Sequence, residues 1–255
     1  MLISCFDESY DERFRMTFVC GWVATAEQWQ EFEYGWKLLL AKYGVPYFHM
    51  REYAHSVGPF AKWKGKEGTR RAFMRGAAQI IVDTIQRGFV CCVSDETFEE
   101  CDRVYELRSK FRSPYALAGR TCANLVVEWG STPTTFPRKD IEYVFEDGAP
   151  DKGGLIDAMK IVPRLPAPVF QPGRDQRPSR KSPTGKPGVV QLQAADYLAY
   201  ELSKFAREHQ AIKVDPSKFR ASLGILPERS VKRMFFTGRK MGILCDMLKI
   251  NPRKP

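Results

Sequence analysis

Three points along the chain place carboxylates where something must neutralise them. Asp7 and Glu8 follow an apolar run, Met1 to Phe6. Glu146 and Asp147 follow Ile141-Glu-Tyr-Val-Phe145 and precede Gly148. Asp196 sits on the flank of an apolar helical face, one turn after Leu192. Carboxylates that converge repel one another and raise their own pKa values. Mg²⁺ or Mn²⁺ relieves that repulsion, because hard cations take oxygen ligands. Two such ions about 4 Å apart serve to activate water and stabilise a leaving oxygen, which is the chemistry of phosphodiester cleavage. The bland alternative is that these acids cap turns, as acids after strands commonly do. On the functional reading Asp7, Glu146 and Asp196 are the metal ligands, and Glu8 or Asp147 assists. Neighbours on a strand face opposite sides, and of the pair Glu146 is preferred to Asp147. The nucleophile would be water, so no Ser or Cys nucleophile is required.

The elements that must position these acids follow from periodicity. Apolar residues at 2–6 and 16–23 predict two strands, at about 2–8 and 15–24, joined by a polar turn at Tyr10–Arg13. Thr25 and Gln28 form a capping-box pattern ahead of Trp29, Phe32, Trp36, Leu39 and Leu40, which recur at helical spacing until Gly44 and Pro46. Those aromatics read as core rather than as a surface for stacking bases. Further helices are expected at about 66–86, 96–108, 114–129 and 151–160, with a short apolar strand at Phe89–Val93. Asp95 and Glu96 read as acids opening a helix, where its dipole favours them. Leu192, Ala195, Leu198, Ala199, Leu202 and Phe205 form the apolar face of a late helix. An acid on the margin of that face, Asp196, is expected to point at a partner. His49 is an auxiliary candidate, as a ligand or proton carrier, although a lone histidine beside apolar residues is more often structural. The region from Val214 reads as two or three short helices and a basic tail.

The 255 residues are 44% hydrophobic and 13% aromatic, which supports a sizeable core and argues against global disorder. No apolar run is long enough to span a bilayer. The N-terminus meets acids at residue 7 and lacks a basic segment, so it does not read as a signal peptide. Seven cysteines without CxxC spacing read as buried free thiols of a reducing, cytoplasmic setting, not as a zinc site or disulfide framework. The net charge of +10 is uneven. Residues 1–170 carry 22 Lys/Arg and 23 Asp/Glu, and residues 171–255 carry 18 and 7. That asymmetry favours a polyanion, nucleic acid first. The Pro- and Gly-rich segment Gln171–Gly188 suits a basic loop in which Arg177, Arg180, Lys181 and Lys186 hold phosphates.

Phe6-Asp-Glu-Ser9, Phe48-His-Met50, Tyr143-Val-Phe-Glu-Asp147 and Leu192-Gln-Ala-Ala-Asp196 occur in this order. Together they resemble a bacterial, archaeal and phage domain-of-unknown-function family, number thirty-eight hundred, over roughly residues 1–205. That family is marked by an N-terminal Asp-Glu-Ser-Gly and a late Leu-Gln-x-Ala-Asp. The resemblance implies a ribonuclease H-like fold and metal-dependent nuclease activity, with the family's two most characteristic acids falling on Asp7 and Asp196. Glu8 and the pair Glu146-Asp147 match less rigidly. Tyr10 stands where the family often has Gly, so the turn must be made differently. The expected fold is therefore α/β: a ribonuclease H-like mixed sheet flanked by helices over residues 1–210, with a basic helical C-terminal extension at 211–255 packed on the same domain. The expected function is a cytoplasmic metal-dependent nuclease. The alternatives are a non-catalytic nucleic-acid-binding protein of a phage-defence or mobile-element system, and a metal-dependent nucleotide phosphohydrolase.

Overall fold

The computed structural model describes residues 1–130, 140–161, 165–176, 185–209, 231–250 and 252. Strands β1 (Leu2–Asp11) and β2 (Met16–Thr25) form the opening hairpin. Helix α1 (Ala26–Tyr43) starts at once, capped reciprocally by Thr25 and Gln28 and closed by Gly44 at φ 62°. Only a residue tolerant of left-handed backbone closes a helix this way at low cost. A short helix, α2 (Met50–His55), precedes α3 (Glu67–Thr84). Strand β3 (Arg87–Ser94) leads directly into α4 (Asp95–Val104), whose Thr97 N–H is capped by the Ser94 hydroxyl. Then come α5 (Pro114–Gly130), β4 (Ile141–Glu146), α6 (Lys152–Lys160), β5 (Val169–Gln171), α7 (Gln191–His209), β6 (Val231–Phe235) and α8 (Gly238–Met247).

Among the described residues the strands form one six-stranded mixed sheet, in the order β5-β4-β1-β2-β3-β6. The meander β1-β2-β3 is antiparallel, while β4 lies parallel to β1, β5 to β4 and β6 to β3. Helices cover both faces, so the central strands are apolar on both sides. One face packs Cys5, Phe18, Cys20 and Trp22 against α1, α3 and α7. The other packs Leu2, Phe6, Val19 and Phe89 against α4, α5, α6 and α8. Phe32 and Trp36 are fully buried on the first face, each stabilising the fold by about 1.5–3 kcal/mol. The indoles also act as struts: Trp22 Nε1 donates to the Ala194 carbonyl at 2.9 Å and Trp29 Nε1 to the Ile3 carbonyl at 2.8 Å. Gly21 of β2 lies so close to β1 that a Cβ would collide with the Cys5 carbonyl.

Two expectations change. The first strand does not end at its acids. It pairs with β2 as far as Asp11↔Met16, and the turn falls at 12–15 with Arg15 at φ 49°. Glu8 and Ser9 have β2 partners in Val19 and Phe18, and those backbone bonds extend the strand past the acids. In the C-terminal region, Val231–Phe235 is a strand at the sheet edge, not a helix. Its basic residues, Lys232 and Arg233, mask the apolar alternation in the sequence. Residues 211–230, where further helices were expected, lie outside the described set. Among the described residues no helix is long and apolar enough to cross a membrane.

Candidate functional site

The register of two parallel strands builds the site. Phe6 of β1 pairs with Phe145 of β4, and β4 ends one residue later. Asp7 and Glu146 therefore stand side by side at the end of the shared ladder, while β1 runs on with β2 alone. The face is set by alternation. Ile3 and Cys5 join the layer of α1 and α7, and Asp7 follows them on that face. Val144 joins the same layer, and Glu146 follows it. Glu8 turns to the other side, toward α5.

Helix α7 supplies the third carboxylate and fixes the roof of the site. Gln193, only 4% exposed, uses its whole amide. Its Oε1 accepts from Trp36 Nε1 and from the Phe48 N–H, both at 2.9 Å, and its Nε2 donates to the Gly173 carbonyl at 2.8 Å. One side chain thus ties α1, the segment before α2 and the segment after β5 to α7. Asp196 lies three residues further along. Its Oδ2 accepts the Met50 N–H at 2.5 Å, which caps the start of α2 and sets His49 beside the cluster.

Asp7, Glu8, His49, Glu146, Arg174 and Asp196 line one cavity of about 250 Å³. The carboxyls titrate abnormally. Burial first, then the charges of Asp196, Glu8 and Glu146, hold the Asp7 carboxyl well above the usual range, against the Glu8 N–H that donates to it at 2.8 Å. Burial and then Glu146 push Glu8 up to about 7. Burial raises Asp196 to about 6, against the opposing pull of His49 and the Met50 N–H. Tyr115 of α5 responds to the same charges: burial and then Glu8, Asp7 and Glu146 push its phenol up. Its hydroxyl and Glu8 Oε2 are buried with no hydrogen-bond partner among the described residues. Glu146 is held by the N–H groups of Gly148 and Gly173.

No family model matches the chain, and no curated protein matches it.

The residues expected from the sequence are distributed unevenly around this cavity. Asp7, Glu8, Glu146, Asp196 and His49 are brought together. Asp147 is not. It turns away to Lys152 and to Lys186 at 3.2 Å. Burial pushes its carboxyl up, but the two lysines outweigh that and hold it below the usual range. Lys186 is thereby paired, and its backbone bridges Gln176. Arg177, Arg180 and Lys181 lie outside the described residues.

Sequence reasoning assigned no site role to Arg174 or Gln193, although the first lies in the basic segment and the second in the Leu192–Asp196 motif. Arg174 donates to Glu52 at 3.0 Å and to the Tyr47 hydroxyl at 3.2 Å, with its guanidinium 5.1 Å from the centre of the Tyr47 ring. A contact across more than a hundred residues leaves no local pattern. Gln193 did carry a signal, a polar residue inside an apolar helical face.

Among the described residues no group of three or more His, Cys, Asp or Glu side chains already stands as a cage for a metal ion. The donor set nonetheless suits a hard cation. It is oxygen-rich, mutually repelling, partly buried, and includes one orphaned carboxylate oxygen on Glu8.

Proposed function

We propose that this chain is a metal-dependent nuclease of ribonuclease H-like type that hydrolyses phosphodiester bonds. The observation that carries the reading is the convergence of Asp7, Glu146 and Asp196 on one face at the end of β4, with Glu8 round the edge. Asp7, Glu8 and Asp196 all sit above the usual carboxylate range there. A site built only to stabilise the fold would not gather like charges in a partly buried cavity. Asp7, Glu146 and Asp196 would hold Mg²⁺ or Mn²⁺, with Glu8 assisting. A divalent cation there supplies Lewis acidity for attack of water on phosphorus. Arg174 faces the same cavity and offers a guanidinium to a phosphate oxygen. His49, placed by the Asp196–Met50 bond, borders the carboxylates as a group able to carry a proton.

The mixed sheet that begins with an antiparallel hairpin, and the order of the Asp-Glu-Ser and Leu-Gln-x-Ala-Asp motifs, support placement in domain-of-unknown-function family thirty-eight hundred. The seven cysteines are free and buried, which suits a cytoplasmic protein. The excess of Lys and Arg after residue 170 suits a nucleic-acid partner.

A second reading, a nucleic-acid-binding protein without catalysis, would keep the basic residues after 170 for its partner and use the acids only structurally. Calorimetry separates the two. The nuclease reading expects Mg²⁺ or Mn²⁺ binding that Asp7→Asn and Asp196→Asn each weaken, and oligonucleotide cleavage that both abolish. Native protein that binds neither ion, with or without a short oligonucleotide, overturns it and leaves the binding protein.

A further inference from the structure

A second, larger cavity of about 750 Å³ opens from the first, and Glu8, His49 and Asp196 line both. It runs between the tip of the β1–β2 hairpin and the flank of α7. Along α7 its wall is Asp196, Tyr200, Ser203, Lys204 and Arg207, a spacing that keeps all five on one stripe of the helix. From Asp196 to Arg207 that stripe is about 16 Å long, enough for several phosphates at about 3.4 Å or more per nucleotide.

The chemistry of this groove differs from that of the acid cluster. Arg13 at the hairpin tip and Arg51 on α2 both line it and are exposed. Neither has an ion-pair partner among the described residues. Arg207 is different, because it is committed to Asp11 at 2.6 Å. Lys204 sits 3.8 Å from Glu208, a loose pair at the groove margin. Ser203 is 2% exposed, and its hydroxyl has no partner among the described residues. Tyr10, 48% exposed, lines the groove on the hairpin side with its hydroxyl donating to Asp95 at 2.9 Å, and Tyr200 lines it on α7. Glu12 opposes this balance as an exposed acid. Asp11 does not, being neutralised by Arg207.

The Arg13 guanidinium rests 5.2 Å from the centre of the Phe14 ring. Guanidiniums with no ion-pair partner among the described residues, together with aromatic faces, form the combination that holds single strands without reading their sequence. We propose that this groove binds single-stranded nucleic acid and leads it to the acid cluster, with Arg13 and Arg51 on phosphates and Tyr10 under a base. The inference rests on the nuclease reading for its purpose but not for its test.

The test is fluorescence anisotropy with a labelled oligothymidylate and with a duplex of equal length, in chelator so that no strand is cut. Arg13→Ala/Arg51→Ala is compared with the native chain; both residues are exposed, and the melting temperature checks that the variant folds. The groove expects the single strand to bind more tightly than the duplex. It also expects the double variant to lose about tenfold in affinity and to show a shallower salt dependence, by about 1.4 in the logarithmic slope for two lost phosphate contacts. Tyr10→Ala should weaken binding with the salt slope unchanged. Equal binding by native chain and double variant, a preference for duplex, or no binding at low salt overturns the groove. Cleavage is scored separately with Mn²⁺ present. Binding that follows the arginines without cleavage retains the groove and removes the nuclease. Cleavage that the double variant performs as well as the native chain does the reverse.

Discussion

Asp196 of α7 accepts the backbone N–H of Met50 at 2.5 Å, so one carboxylate both caps a short helix and faces the acid cluster. These two roles can be separated by substitution. Asp196→Asn keeps an acceptor for Met50 and removes the charge, whereas Asp196→Ala removes both. The alanine variant should be less stable than the asparagine variant by about 1 kcal/mol, the usual worth of a cap. Urea melts of the two side by side check this, and coincident midpoints would show that the bond contributes nothing.

Asp7 is held above the usual carboxylate range by burial and by Asp196, Glu8 and Glu146, and Glu8 is raised to about 7. An acid whose pKa is higher folded than unfolded binds more protons in the folded state. Its contribution to stability therefore falls as pH rises from the unfolded value toward the folded one. Without divalent ions the native chain should be more stable near pH 5 than near pH 8. Asp7→Asn should gain about 1 kcal/mol at pH 8 and flatten that slope. Melting curves across pH in chelator decide it; a variant less stable than native at pH 8 contradicts the electrostatic account.

Asp11 behaves in the opposite sense. Burial pushes its carboxyl up, but the Phe14 N–H at 2.9 Å and Arg207 at 2.6 Å outweigh this and hold it below the usual range. A depressed acid contributes stability that is present above its unfolded pKa and lost as pH falls through the folded one. Asp11→Ala should cost about 2 kcal/mol at pH 7, and the deficit should shrink below about pH 3.5. A deficit that does not change with pH would show that packing, not the charge pair, is what the substitution removes.

Gln193→Ala should be a damaging change although it removes no charge. It strands Trp36 Nε1 and the Phe48 N–H, both buried, and frees the Gly173 carbonyl. A loss of about 2–3 kcal/mol is expected. Hydrogen exchange should quicken at Phe48 and Met50, where the segment before α2 is no longer anchored. Unchanged exchange there would mean that the roof of the site is held by other contacts.

Some of this was legible in the sequence because it depends on local order. The capping box at Thr25 and Gln28, the closing Gly44 and the apolar stripe of α7 rest on contacts within a few residues, and each stands where its pattern predicts. The run of apolar residues before Asp7 and before Glu146 likewise identified two strands that carry acids. What the sequence could not express is register and partnership across distance. That β4 stops one residue after Phe145 pairs with Phe6, while β1 continues to Asp11, is a property of the sheet. It alone sets Asp7 beside Glu146 and sends Asp147 to Lys152 and Lys186. The same holds for Arg174 on Tyr47 and Glu52, and for the groove between the hairpin tip and α7. Local periodicity fixes which side of its own element a residue occupies. Only the packing of elements far apart in the chain decides what that side meets.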